Sequence, residues 1–221
     1  NLMLDMIDTE LVVIVDSDDF LAEKAVEIIL NDYMSIKCKS ELCSINYLRA
    51  YFDGSVIGDS FPDDHIVAKA NQYMINGGIA GDKCEVFFAH ALKNYRFPVF
   101  SGERFVGETA VWIPMYRNYK TLFRNEAIYY CQYIDDGLSM AGKSMRMKNP
   151  LGGMANSLVY IADDIRPSLR IKNTLLYICY GKFAKKSFGQ IMGGFPDKLL
   201  AAIMYLPGYL LYLDWKKKYC K

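Results

Sequence analysis

Three carboxylates and a hydroxyl stand within four consecutive residues near the start of the chain, Asp16-Ser17-Asp18-Asp19. Carboxylates this close repel one another unless a cation or hydrogen-bond donors compensate their charge. Mg²⁺ and Mn²⁺ prefer oxygen ligands, and such an ion can hold the diphosphate of a nucleotide on its other side. The cluster is therefore a candidate metal and nucleotide site. The alternative is the start of a helix, where one or two aspartates are common caps.

The residues on either side of this cluster predict the elements that position it. The run Leu11-Val12-Val13-Ile14-Val15 is continuously apolar, which is typical of a strand buried on both faces in a parallel sheet. Apolar residues at helical spacing follow from Leu21 to Tyr33, with Asp18 or Asp19 placed to cap that helix. Ligands of open α/β sheets bind at the carboxyl ends of strands. This position favours the metal and nucleotide interpretation over a cap alone.

The rest of the chain predicts a mixture of strands and helices. The predicted elements are two strands over 44–61 about a turn at Asp53-Gly54, a short strand over 85–88, a helical stripe over 111–123 and a strand over 127–134. The composition changes at residues 149–153, and the pattern of the remaining residues is helical. We therefore expect an α/β part over 1–148 and a helical carboxyl-terminal extension over 149–221.

Three segments carry a resemblance to a known family. The sequence VVIVDSDDFL at residues 12–21 resembles the strand and DXD motif of family-2 glycosyltransferases. The sequence ALKNYRFPVFSGERFVGETAVW at 91–112 is similar to the family segment that ends in an acidic motif, and YYCQYIDDGLS at 129–139 resembles the strand after it. The resemblance extends over residues 1 to 140 or so. The ordered series of segments is more specific than the DXD motif alone.

The resemblance implies a fold and an activity. The fold would be α/β and GT-A-like (Rossmann-like), a mixed sheet with flanking helices, followed here by the helical extension. The activity would be inverting, metal-dependent transfer of a sugar from a nucleotide-sugar, with UDP the commonest carrier, to a glycan or lipid-linked acceptor in cell-surface polysaccharide synthesis. The family's first strands form the nucleotide-base pocket, and the resemblance implies that they would precede Asn1 and are missing from this sequence.

The resemblance also assigns roles within the acidic cluster. Asp16 would approach the ribose or uracil of the donor, and Ser17 and Asp18 would complete the nucleotide-sugar contacts. Asp18 would bind Mn²⁺ or Mg²⁺, supported by Asp19. The metal would act as a Lewis acid on the leaving nucleotide diphosphate.

An inverting transfer needs one more carboxylate, which deprotonates the acceptor hydroxyl. Glu108 is the candidate base. The family usually has Glu-Asp at this point and often uses the Asp, whereas this chain has Glu108-Thr109, so Glu103 stays open as an alternative.

The composition bears on partners and compartment. A formal net charge of +1 lacks the basic excess of a nucleic-acid-binding protein. The six cysteines include no C-x-x-C pair, and the two histidines stand apart from them, so neither a zinc site nor a disulfide scaffold is expected. These features predict a cytoplasmic protein with reduced thiols.

The last part of the chain pairs apolar residues with lysines. Leu199 to Leu213 contains no charge, and Trp215-Lys216-Lys217-Lys218 follows. Such a stretch is shorter than the roughly 20 residues that span a bilayer, and Pro207-Gly208 interrupts it. Two interpretations stay open: peripheral contact with the inner face of the membrane, or packing on the rest of the protein or in a homodimer.

Two other functions compete with sugar transfer. A phosphatase of the haloacid-dehalogenase type also has an apolar strand that ends in D-x-D, and residues 158–164 could imitate its late acidic motif. That family requires Thr or Val where this chain has Phe20-Leu21. The second alternative is a catalytically inactive transferase-like binding module. Thr109, in place of the Asp that the family usually has there, would fit this alternative.

Overall fold

The computed structural model describes residues 1–132 and 142–219. Within them the chain forms two compact units, 1–96 with 115–132, and 97–114 with 142–219. This grouping differs from the predicted division at residues 148 and 149. Residues 97–114 belong with the carboxyl-terminal helices because their side chains contact them; the carboxylate of Glu103, for example, accepts hydrogen bonds from the backbone of Leu151 and Gly152.

The first unit is built on a mixed sheet. Its strands are β1 (Leu11–Val13), β2 (Phe20–Leu21), β3 (Leu42–Ala50), β4 (Ile66–Ala68), β5 (Lys83–Phe88) and β6 (Lys120–Tyr130). The order is β1-β5-β3-β6-β2, and β4 also pairs with β6. The strands β3 and β6 run parallel, and the other pairings are antiparallel. The mixed sheet confirms the predicted α/β class.

Within residues 1–132, four α-helices accompany these strands along the chain. They are α1 (Leu2–Met6), α2 (Ala25–Ser35), α3 (Ala89–Leu92) and α4 (Thr109–Asn118), together with a 3₁₀ turn at Lys39–Glu41 and a π-helical turn at Asn71–Asn76. Ala25 and Ile29 of α2 are buried against the sheet residues Ile45, Val86 and Ile128 in one apolar core. That burial fixes α2, the helix that follows the acidic cluster, against the sheet.

The environment of β1 corrects the prediction of a buried parallel strand. The strand has three residues, lies at one edge of the sheet and pairs antiparallel with β5. Ile14 and Val15 continue beyond the ladder and are 43% and 38% exposed. An apolar run indicates a strand but does not define its direction or its neighbours, and here the chain leaves the sheet toward Asp16.

The start of α2 corrects a second expectation. The short strand β2 lies between the acidic cluster and α2, and the helix begins at Ala25 after Lys24. Asp18 and Asp19 therefore do not cap it. Leu21 belongs to β2, where it pairs with Tyr129, so the helical spacing that begins at this residue was coincidental.

Other predicted elements are partly correct. The short strand appears as β5, and the turn at Asp53-Gly54 forms, with the Gly54 amide 2.9 Å from the Tyr51 carbonyl oxygen. The second strand of the predicted hairpin is reduced to a bridge between Ala50 and Val56. The helix over 111–123 ends at Asn118, because the last apolar residues of the stripe belong to β6. The predicted strand over 127–134 is the end of β6, and residues 133–134 lie outside the described part.

The second unit is helical and confirms the predicted carboxyl-terminal helical extension. Its further helices are α5 (Gly142–Lys148), α6 (Pro150–Leu158), α7 (Pro167–Phe183), α8 (Phe188–Gly193) and α9 (Lys198–Tyr219). Glycines permit close helix contacts: a Cβ on Gly153 of α6 would lie 2.8 Å from the ring of Tyr180, and a Cβ on Gly208 of α9 would lie 2.8 Å from Ile178. Within 1–132 and 142–219, no helix has the length and apolar character needed to cross a membrane.

Candidate functional site

The acidic cluster forms a tight turn between β1 and β2. The amide of Asp19 donates to the carbonyl oxygen of Asp16 at 3.1 Å, which closes a four-residue turn with Ser17 and Asp18 at its tip. Asp16, Ser17 and Asp18 are exposed, and Asp19 is half-buried. The turn thus presents two carboxylates to solvent and holds a third against the sheet.

Tyr129 of β6 holds this turn by two hydrogen bonds. Its hydroxyl donates to Asp19 Oδ2 at 2.7 Å and accepts from the backbone amide of Asp16 at 3.1 Å. Burial and the hydrogen bond to Asp19 raise the pKa of Tyr129, so the phenol keeps its proton and remains a donor. One side chain thereby holds both ends of the turn in place.

Tyr129 is itself fixed by Arg49. The guanidinium of Arg49 lies 4.2 Å from the centroid of the Tyr129 ring, and its Nε donates to the carbonyl oxygen of Lys83 at 2.9 Å. The two residues are partners across the parallel pair β3 and β6. A cation over an aromatic face is attracted to the ring. The positive charge of Arg49 consequently lies next to the anchor of the acidic turn.

An exposed aromatic cluster follows the acidic turn. The ring of Phe20 stacks on Tyr130 with centroids 5.4 Å apart and contacts Phe52 at 5.2 Å. Phe20 and Phe52 are about half exposed, at 50% and 49%. Exposed ring faces beside carboxylates can stack on a sugar or a base, which gives this region an apolar surface as well as an acidic one.

The carboxylates of the turn are candidate ligands for a metal that is shared with a substrate. Across the two described stretches of chain, no three His, Cys, Asp or Glu side chains converge to hold a metal ion by themselves. Mg²⁺ is usually held by one or two carboxylates together with substrate phosphates, and it keeps several waters. The exposed Asp18 and the neighbouring Asp19 supply an oxygen donor set of that kind.

The two candidate bases lie in different environments within the second unit. Both oxygens of Glu103 are engaged by the first turn of α6, from Leu151 N at 2.7 Å and Gly152 N at 2.8 Å. A carboxylate at a helix amino terminus is a stabilising arrangement. Glu108 is exposed and directly precedes α4. These contacts give Glu103 a capping role at α6.

Thr109 has a structural partner. Its hydroxyl donates to Asn156 Oδ1 at 2.8 Å, and a Cβ on the nearby Gly107 would lie 2.8 Å from the same oxygen. Gly107, Thr109 and Asn156 therefore form a close contact between the start of α4 and α6. The residue at this position holds two helices together, which explains a hydroxyl there without reference to catalysis.

The second acidic motif of the phosphatase alternative is absent from its expected place. Leu158 is the last residue of α6, and a turn rather than a strand leads to Asp163. The Asp163 side chain is 97% exposed and pairs with Arg170 at 3.1 Å. Asp163 is thus a surface residue beside α7, and the expectation that this segment could imitate the motif is wrong.

Comparison with known proteins identifies the fold. No protein-family model matches the sequence, and no curated protein matches it. Crystal structures of S. aureus TarS 1–349 share the fold: the protein alone gives a TM-score of 0.54 at 12% identity, covering 99% of this chain and 69% of that chain. The complexes with UDP-GlcNAc and with UDP give 0.56 and 0.53, each at 14% identity, covering 99% of this chain and 70% of those chains. The match confirms the predicted GT-A-like class of fold.

Sequence reasoning found the acidic turn but missed its supports. The sequence pattern places Tyr129 only in a strand and predicts no role for Arg49. The contacts among Asp16, Asp19, Arg49 and Tyr129 join residues up to 113 positions apart. The burial of β6 does not alternate, since the adjacent Ile128 and Tyr129 are both buried, and nothing local in a single sequence pairs Tyr129 with the turn.

Proposed function

We propose that this protein transfers a sugar from a nucleotide-sugar, of the UDP-sugar type, to a glycan or lipid-linked acceptor in cell-surface polysaccharide synthesis. The observation that carries the proposal is the exposed acidic turn Asp16–Asp19. This turn follows β1 and is held by hydrogen bonds to Tyr129 of β6. It occurs in a chain whose fold matches a protein crystallised with UDP-GlcNAc and with UDP. The transfer inverts the anomeric centre and depends on a divalent metal.

The acidic turn binds the donor in this proposal. Asp16 and Ser17 contact the nucleoside, and Asp18 and Asp19 would hold Mn²⁺ or Mg²⁺. When bound, the ion would supply Lewis-acid stabilisation of the charge that develops on the leaving nucleotide diphosphate. Tyr129 keeps Asp19 oriented by its hydrogen bond of 2.7 Å, so that this carboxylate needs little rearrangement when the ion binds.

Glu108 acts as the general base. It accepts the proton of the acceptor hydroxyl as the oxygen attacks the anomeric carbon from the side opposite the leaving group, which inverts the configuration. Its exposed position before α4 leaves it accessible to an acceptor. Glu103 serves instead to hold the start of α6.

The matched variants Glu108→Gln and Glu103→Gln separate these two roles. UDP release from a panel of UDP-sugars in the presence of Mn²⁺ is measured with and without candidate acceptor glycans. Glu108→Gln should lower kcat by about 10²-fold or more, the usual contribution of a general base. Glu103→Gln should keep kcat and lose about 1 kcal/mol of stability to urea, because one oxygen acceptor at α6 is lost.

Two results would contradict the proposal. If no UDP-sugar of the panel yields UDP, the chain behaves as the inactive binding module instead. If Glu103→Gln abolishes turnover while Glu108→Gln retains it, the assignment of the base is reversed.

A further inference from the structure

Helix α9 has one face packed in the second unit and one face exposed. Ala201 and Gly208 are buried, and Trp215 packs against the same apolar core. The opposite face carries five large apolar residues whose exposed fractions range from 73% to 43%: Leu199, Ile203, Leu206, Leu210 and Leu213. Their spacing of four, three, four and three residues places them in one stripe along four turns of the helix. We call these five residues the α9 stripe.

Tyrosine and lysine side chains border the α9 stripe. The ammonium of Lys182 lies 5.7 Å from the ring centroid of Tyr209, and that of Lys216 lies 5.8 Å from Tyr212. Lys216, Lys217 and Lys218 are exposed in the last turn of α9, where Lys218 also pairs with Asp214 at 2.9 Å. Tyrosine has an apolar body with a polar tip, and lysine can extend its charge away from an apolar surface. This border is suited to a boundary between an apolar medium and water.

The charge of the segment distinguishes between possible occupants. Residues 149–221 contain eleven Lys and Arg against four Asp and Glu, a net charge of +7. Residues 1–148 contain fifteen against twenty-one, a net charge of −6. A second copy that paired stripe to stripe would place two segments of net charge +7 against each other in either orientation, whereas a surface of anionic lipid would neutralise that charge.

The geometry points to the surface of a bilayer that contains anionic lipid as the occupant of the α9 stripe. The helix lies in the plane of the interface, with the stripe among the acyl chains near the headgroups and Lys216–Lys218 against the phosphates. It does not cross the bilayer, since its other face packs against α7, as the contact of Gly208 with Ile178 shows. This inference requires no nucleotide and is independent of the proposed sugar transfer.

Vesicle co-sedimentation tests the inference with the intact chain. The protein is mixed with sucrose-loaded vesicles of phosphatidylcholine alone or of phosphatidylcholine with phosphatidylglycerol. We expect sedimentation with the anionic vesicles only, and a decrease when salt is raised, because ions screen the lysines. The double variant Leu206→Gln/Leu210→Gln should bind at least about tenfold more weakly, since two buried apolar side chains are lost from the interface.

The chain offers a matched control on another helix. Val26 and Leu30 of α2 are also four residues apart and are 62% and 50% exposed. Val26→Gln/Leu30→Gln should therefore leave vesicle binding unchanged. Lys216→Gln/Lys217→Gln removes charge without altering the stripe, and it should weaken binding to anionic vesicles and reduce its dependence on salt.

Light scattering coupled to gel filtration, without lipid, tests whether a second copy of the chain covers the α9 stripe instead. A wild-type dimer that becomes monomeric in Leu206→Gln/Leu210→Gln would show that a second copy covers the stripe, and would overturn the inference. Equal vesicle binding by the wild type and both the leucine and lysine variants would overturn it as well. Circular dichroism shows whether each variant keeps its helices, and the lysine variant remains informative if the leucine variant does not fold.

Discussion

Tyr129 is the residue on which the geometry of the acidic turn most depends. It is fully buried, and its hydroxyl contacts both ends of the turn through Asp16 and Asp19. Tyr129→Phe removes these two hydrogen bonds and preserves the ring under Arg49. We expect a loss of about 1–2 kcal/mol of stability to urea, because a partly buried carboxylate and amide lose their partner. Affinity for UDP with Mn²⁺, measured by calorimetry, should fall about tenfold, which corresponds to about 1.4 kcal/mol.

Tyr33→Phe is the matched control for this prediction. The Tyr33 hydroxyl donates to Glu10 Oε2 at 2.6 Å, but that pair is exposed to solvent. Its removal should change stability by no more than about 0.5 kcal/mol and leave UDP affinity unaltered. Equal effects of the two substitutions on UDP binding would show that Tyr129 has no special connection with the acidic turn.

At the scale of residues, the exposed carboxylates of the acidic turn could be predicted from sequence, whereas the buried residues that hold the turn could not. Carboxylates at positions 16, 18 and 19 are conspicuous because like charges rarely cluster without compensation. Nothing local in the sequence marks Arg49 and Tyr129: the parallel pairing of β3 with β6 brings them to each other, and the Tyr129 hydroxyl reaches the turn. The role of Glu103 as a cap of α6 likewise depends on a contact across 48 positions.

At the scale of elements, a buried ion pair fastens α2 to the sheet. Arg124 of β6 donates from Nη1 to Asp32 Oδ1, and the Tyr47 hydroxyl donates to Asp32 Oδ2 at 2.8 Å. Asp32 is only 5% exposed. Arg124→Met should cost about 3–5 kcal/mol in urea unfolding, because it leaves the buried carboxylate without its counter-ion.

The same strand supplies a control for the ion pair. Lys120 pairs with Glu41 at 2.8 Å, and both side chains are about half exposed, at 45% and 54%. Lys120→Met should cost less than about 1 kcal/mol, as is usual for surface pairs. The double variant Asp32→Leu/Arg124→Met should be more stable than Arg124→Met alone. If all three variants unfolded at the same urea concentration, α2 would not depend on this pair.

Element types were predicted from sequence more successfully than their ends or their pairing. The short strand β5 and the helical extension appear where periodicity placed them. The start of α2 was misplaced because residues 20 and 21 satisfy a strand and a helix pattern equally well over so short a length. The neighbours of β1 were misjudged because an apolar run is compatible with either direction of pairing.

At the scale of the whole molecule, charge is divided unevenly along the chain. The acidic turn belongs to a segment with a net charge of −6, and the α9 stripe belongs to one with +7, although the sum is +1. The fold match with TarS covers 99% of the chain and so includes both segments. Periodicity and composition predicted the division into an α/β part and a helical part, whereas only the structure shows that residues 97–114 group with the helices.

Calorimetric titration of UDP, with and without Mn²⁺, tests the central claim most directly. The wild type is compared with Asp18→Asn in the turn and with Asp8→Asn, which removes another exposed carboxylate at the other end of β1. We predict binding that requires Mn²⁺, is retained in Asp8→Asn, and falls at least about tenfold in Asp18→Asn because a charged metal ligand is lost. Absence of metal-dependent UDP binding by the wild type, or binding by Asp18→Asn equal to that of the wild type, would contradict a donor site at the acidic turn.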